Sequence, residues 1–337
     1  MIRPVLPFVM TTAFISSAYA IEPIPAESGF SGFVNVGVGG MSVESNTLAK
    51  FGSVDLSNNT IDSINNSPSS EDSAIPVIAA EIAYTFADTR TQIFIGNQLE
   101  DYIRFDFSTL AGIRQEIGKA GVLGASFLYT PLATEVWSDP FLTDSPRRKT
   151  DRTANGYRLI WDRMYGTGLE LRYSYREVDI DDELSGVSQG LESEDIALLN
   201  RNGDLHRFTA QYTFTWDSPR HRLVPLFSVV DLDADGDAMA YDGYSLGANY
   251  IYSINRWRLV TNVYISELSF DEGHPLFDDR KIDSSQFGAS FSAFYASPFG
   301  WKNWLANGTV AWFDQDSDVN FYDSSVGLFS VGVLYRF

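Results

Sequence analysis

The chain contains no cysteine. That excludes a disulfide framework, a thiolate metal site and a thiol nucleophile. Histidine is almost as scarce, with only His206, His221 and His274. No apolar run approaches the twenty residues that a membrane-crossing helix needs, so helical spans are excluded. Basic residues are few: 24 Lys and Arg stand against 44 Asp and Glu, a formal charge of −20. That balance argues against a nucleic-acid partner. A Gly-rich phosphate loop is also missing.

What is present begins with residues 1–20, MIRPVLPFVMTTAFISSAYA, where one charge at Arg3 precedes an apolar run and Ala18-Tyr19-Ala20 closes the segment. This reads as a secretory signal peptide with an A-x-A cleavage site, leaving 21–337 as one domain. An exported chain without cysteine suits a Gram-negative envelope. Aromatic residues reach 14% while mean hydropathy stays near neutral at −0.11. Strands with one lipid-facing and one lumen-facing side produce that combination.

Period-two alternation carries the fold. Over 207–216, Phe208, Ala210, Tyr212, Phe214 and Trp216 alternate with Arg207, Thr209, Gln211, Thr213 and Thr215. Over 169–176, Leu169, Leu171, Tyr173 and Tyr175 oppose Glu170, Arg172, Ser174 and Arg176. Such spacing places each set on one face of a strand. Tight turns at 87–90, 118–121, 165–168, 217–220, 253–256 and 297–300 alternate with long connections. The expected fold is all-β, a transmembrane antiparallel up-and-down barrel of fourteen strands. A weak third strand, 91–97, ahead of a fourth over 102–117, leaves twelve as the alternative count. The polar stretch 44–76 is expected to be a mobile loop.

The last residues, from Ser324 to Phe337, read SSVGLFSVGVLYRF. Phe329, Val331, Val333, Tyr335 and Phe337 fall on one face, and the chain stops on an aromatic. This resembles the C-terminal signal of bacterial outer-membrane β-barrels. The resemblance implies recognition of this strand by the barrel-assembly machinery and a cell-outer-membrane location in contact with lipid bilayer and lipopolysaccharide. It also implies extracellular long loops and periplasmic termini. The overall layout is similar to monomeric porins and oligosaccharide channels, and to an uncharacterised outer-membrane family of marine gammaproteobacteria.

Charge on the lipid face near midplane costs a few kcal/mol, about 2–4 for Arg or Lys. Strand arginines with polar parity are therefore expected in the lumen: Arg104, Arg158, Arg172, Arg176, Arg207 and Arg258. Asp106, Glu170, Asp162, Gln211, Asn262 and Gln286 share that face. A second motif is Asp231-Leu-Asp233-Ala-Asp235-Gly236-Asp237 with Asp242 at position twelve. It has the spacing of a calcium loop, although Asp replaces the bidentate Glu and the flanks read as strands. Calcium is the one cofactor this sequence suggests. Neither His206 nor His274 has a serine two residues on, the arrangement expected of a barrel phospholipase, so no enzyme is expected. The functional expectation is a monomeric porin-like channel for passive diffusion of small hydrophilic solutes, anions or oligosaccharides among them. The alternative is a surface-exposed structural or adhesion barrel with an occluded lumen and cation-binding acidic loops.

Overall fold

The computed structural model describes residues 24–52, 54–56, 59–97, 109–130, 134–217 and 220–337. In chain order the strands are β1 (Gly29–Glu44), β2 (Leu48–Phe51), β3 (Val54–Asp55), β4 (Ser70–Phe86), β5 (Thr91–Asn97) and β6 (Thr109–Glu116). Next come β7 (Val122–Tyr129), β8 (Thr134–Trp137), β9 (Lys149–Asp162), β10 (Leu169–Ile180), β11 (Gly203–Tyr212) and β12 (Phe214–Trp216). The last six are β13 (His221–Ala234), β14 (Tyr241–Ile254), β15 (Trp257–Phe270), β16 (Ser284–Ala296), β17 (Trp304–Ser317) and β18 (Ser324–Arg336). β11 and β12 are one barrel strand interrupted at Thr213, since both pair with β13. With β2, β3 and β8 set apart as short pieces of connections, fourteen antiparallel strands close the barrel. The seam is β1 against β18, and Gly32 and Phe337 exchange both backbone hydrogen bonds at 3.1 Å.

Alternation decides which side each residue takes. On β1, Val34, Val36 and Val38 face outward and are exposed, while Asn35 between them is fully buried inside. Val263 and Ile265 of β15 repeat this with Ser266 inside. The outward faces carry Ile82, Ile93, Ile95, Leu159, Leu246, Val310 and Val331, all exposed. An apolar exterior of this extent is stable only against lipid, and a closed barrel leaves no edge to satisfy there. At the short-turn end Trp216, Trp257, Trp301 and Tyr335 are outward, with Phe299 91% exposed. This is the aromatic girdle of a membrane interface. The chain is thus an outer-membrane-type β-barrel; among the described residues no helix is long and apolar enough to cross a membrane.

Several strands run further than hydropathy indicates. β4 begins at Ser70, β10 continues to Ile180 and β13 to Ala234. Beyond the apolar band their outward residues turn acidic, as at Glu177, Asp179, Asp231 and Asp233, all exposed. The ladder continues there because every backbone N–H and C=O still needs a partner. The expected third strand, 91–97, is β5. The fourth, expected over 102–117, is described from Thr109 onward as β6; its earlier part lies outside the described residues.

The described residues of 44–76 are corrected from a mobile loop to packed structure. Phe51, Val54 and Leu56 are buried against Met41, Val43, Ile75 and Val77, the inward residues of β1 and β4. β2 pairs with β8, which pairs with β9, so this connection is stitched across the long-loop end. Short apolar residues spaced through a polar stretch gave little periodic signal, yet each finds a buried partner.

Candidate functional site

Register builds the site. Arg158 of β9 stands directly opposite Ser174 of β10, and Ser174 opposite Arg207 of β11. Along β10, Arg172 and Arg176 lie two residues to either side of Ser174 on the same inward face. Neighbours across strands have Cβ atoms about 5 Å apart, and i±2 neighbours about 7 Å. Ser174 is therefore the centre of four inward arginines, and its Oγ accepts from Arg158 Nε at 2.9 Å. Arg152, three inward rows nearer the long loops than Arg158 and opposite Ile180, completes the wall. These five arginines line one lumen cavity of about 270 Å³.

Toward the short-turn end the same wall becomes acidic. Glu170, 1% exposed, accepts from Arg172 Nη2 at 2.9 Å. Asp162, also buried, accepts from Arg163 Nε at 3.1 Å. Among the described residues that line the cavity itself, none is acidic.

The facing wall is of another kind. Ser245, Ser266, Gln286 and Gln315 form one cross-strand row, and Gln286 Nε2 donates to Gln315 Oε1 at 2.9 Å. One row nearer the short turns stand Gly247, Tyr264, Gly288 and Phe313. The Tyr264 ring lies over Gly288, where a Cβ would come 2.1 Å from the ring Cε1. Tyr241 and Phe270, opposite one another with ring centroids 5.1 Å apart, line the long-loop end of the cavity.

Beyond the long-loop end of the cavity the long connections form a cap with its own apolar core. Phe141, Leu199, Phe270, Phe277, Ile282, Val319 and Phe321 are buried together. Polar ties join loops from around the circumference. Arg147 Nη1 donates to the carbonyls of Asn46 and Pro140 at 2.8 and 2.9 Å, and burial pushes its guanidinium down to about 10. Asn46 Nδ2 donates to the Phe321 carbonyl at 3.2 Å. Arg201 Nε donates to Glu183 Oε2 at 2.7 Å. His274 is fully buried. Its Nδ1 accepts from the Leu276 N–H at 3.2 Å, so the proton of the neutral ring is on Nε2, which donates to Tyr322 Oη at 2.9 Å. Burial pushes this imidazole down to about 3.

Of the expected lumen residues, the chamber brings together Arg158, Arg172, Arg176 and Arg207. Glu170 joins them through Arg172. Arg258 is inward but near the short-turn end, in the field of Arg336, and does not line the chamber. Arg104 and Asp106 lie outside the described residues. Arg152 is not among the lumen residues expected from the sequence; its shared parity with Arg158 across Ala154 and Gly156 is the signal that places it there.

The acidic motif with calcium-loop spacing is spread over two strands and the turn between them. Asp231 and Asp233 lie on β13 in extended backbone, and Asp242 stands opposite Asp231 on β14. Carboxylates two apart on a strand are about 7 Å from each other. Asp231, Asp233, Asp235, Asp237 and Asp242 are all exposed, and among the described residues no three acidic or histidine side chains gather as a metal site. His206 faces outward and pairs through Nδ1 with Tyr173 Oη at 2.8 Å. His221 stacks on Trp216.

Residues 29–336 match the family model described as "Protein of unknown function (DUF2860)", and the chain belongs to that family. No curated protein matches it. Among solved structures, it is similar to a Pseudomonas aeruginosa FadL homologue, with TM-score 0.48 and 11% identity over 91% of this chain and 90% of that one. It is also similar to the outer membrane channel DcaP of Acinetobacter baumannii, with TM-score 0.46 and 10% identity over 92% and 97%. A third likeness is to an anion-selective porin from Comamonas acidovorans, with TM-score 0.43 and 9% identity over 92% and 100%.

Proposed function

We propose that this protein is an outer-membrane channel for passive passage of small hydrophilic anions, with the conducting path through the arginine chamber. The observation that carries this is the group of four inward arginines around Ser174, with Arg152 above them. Guanidinium groups remain charged at any ordinary pH. Gathered in a lumen of low-dielectric walls, they raise the local concentration of anions. The Ser and Gln row on the facing wall supplies neutral hydrogen-bonding groups along which a solute, an oligosaccharide included, exchanges its hydration. In this reading the long loops face outward, the termini lie in the periplasm, the barrel acts as a monomer without catalysis, and residues 324–337 engage the assembly machinery.

The folded cap favours a second reading, a surface barrel with a closed lumen. Planar-bilayer recording of the full chain separates the two. The channel reading expects anion-selective conductance, read from the reversal potential in a salt gradient, with selectivity reduced by Arg207→Gln. No conductance from either the natural chain or a Phe321→Ala variant with a weakened cap would refute the channel and leave the surface reading.

A further inference from the structure

We propose that the chamber is built for a monocyclic aromatic oxyanion, such as an arylcarboxylate. This deepens the channel reading and rests on it. A chamber meant for simple hydrated anions needs charge and hydrogen-bonding groups only. This one sets its arginines against Tyr264 and Phe313, with Leu268 and Phe270 beside them. Apolar side chains lining a wet cavity gain free energy when a ligand covers them. The two walls thus ask for one molecule with an anionic end and an apolar body.

Geometry narrows the body to a ring. Tyr264 is flanked in register by Gly247 and Gly288, and its ring lies over Gly288 where any side chain would meet it at 2.1 Å. The glycine lets the phenol lie against the wall, which leaves room in front of it. A flat ring is met there by offset or edge contact with Tyr264 and Phe313. The arginines opposite offer planar forks that match a carboxylate or similar oxyanion. At about 270 Å³ the chamber lies below the range of about 300–1,000 Å³ that holds drug-sized ligands. One ring with one acidic group fits that size.

Calorimetric titration of the full chain in detergent tests this with three probes: benzoate, acetate (the anion without the ring) and benzyl alcohol (the ring without the charge). Benzoate is expected to bind at least about tenfold tighter than either control, because each control loses one wall. Arg207→Gln should weaken benzoate and acetate alike. Gly288→Ala, which drives the Tyr264 ring off the wall and into the chamber, should weaken benzoate about tenfold while leaving acetate within about twofold. Phe313→Leu, which keeps an apolar side chain without the ring, is the second variant should Gly288→Ala fail to fold as judged by heat-modifiable mobility. Benzoate binding no tighter than acetate, with anion-selective conductance intact, overturns the aromatic inference and leaves the channel reading standing. Neither anion binding, with conductance unselective, overturns both.

Discussion

Acid should open the cap, and one buried imidazole sets the size of the effect. His274 is fully buried between Phe141, Phe277 and Tyr322, with ring centroids 4.7 to 5.7 Å away. Its Nδ1 is occupied as an acceptor by Leu276 and its Nε2–H by Tyr322, so a second proton would break the first bond and leave a cation without an acid beside it. Tyr322, the titratable group in contact, is itself pushed up by burial, with Arg201 opposing and Glu183 reinforcing that shift. A base whose pKa falls from an ordinary value near 6.5 to about 3 in the closed cap favours closure in full above about pH 6.5. As pH falls below that, the opened state takes up a proton that the closed state refuses, at up to about 1.4 kcal/mol per pH unit, until about pH 3. At pH 5, still above the ordinary carboxylate range, the closed cap has lost about 2 kcal/mol, a shift of roughly thirtyfold in the open-to-closed ratio. Open probability in planar bilayers and the rate of limited proteolysis within 271–283 should both rise between pH 7.5 and 5. His274→Gln, neutral at every pH, should flatten both responses. An equal pH response in His274→Gln would refute the reasoning, since the acid effect would then arise from carboxylates elsewhere.

Phe321 is fully buried at the centre of the cap. Phe321→Ala should cost the cap about 3–5 kcal/mol, seen as faster amide exchange in 271–283 while β14–β18 keep their protection. Arg158→Gln removes a charge from the chamber and the donor to Ser174; the anion-to-cation permeability ratio should fall with the barrel still folded. Glu177, Asp204 and Asp233 stand directly opposite one another on β10, β11 and β13, and like charges so placed repel by about 0.2–1 kcal/mol. Asp233→Asn should therefore raise thermal stability at low salt, with the gain shrinking as salt is added; a loss of stability specific to calcium would instead support a calcium-binding loop. Phe337 keeps its backbone pairing with Gly32 whatever its side chain, so Phe337→Ala should leave the refolded barrel intact. The same change should lower the amount assembled in cells.

The barrel was legible because alternation over ten or so residues is a strong statement when it recurs in strand after strand. In 207–216 and 169–176 the parity read from the sequence gives the observed faces without exception. Tight turns were equally plain, down to Asn255, whose left-handed φ of 53° is one that asparagine tolerates. The strand ends were less legible. At Glu177, Asp179, Asp231 and Asp233 the outward face meets water, so acid replaces valine and the pattern looks like a loop while the ladder continues. The cap was hidden for a different reason. Its core draws Phe141, Phe277 and Phe321 from three connections more than forty residues apart, and nothing local marks them as neighbours. Four of the five chamber arginines followed from parity alone; their gathering around Ser174 needed the register.

That register also separates two charges that composition merges. The formal charge of −20 suggests a molecule hostile to anions, and the acidic residues do crowd the long-loop end. On β10, however, Arg176 points inward and Glu177, the next residue, points outward; on β9 Asp151 is exposed outside while Arg152 lines the chamber. Parity, not height along the barrel, decides which field a charge contributes to. The outward carboxylates face bulk solvent, where ions screen them beyond about 8 Å. The inward guanidinium groups act across a narrow cavity with low-dielectric walls, where their field is focused. The chamber is therefore lined by arginine in a chain whose net charge is acidic, and net charge alone does not give the sign of its lining.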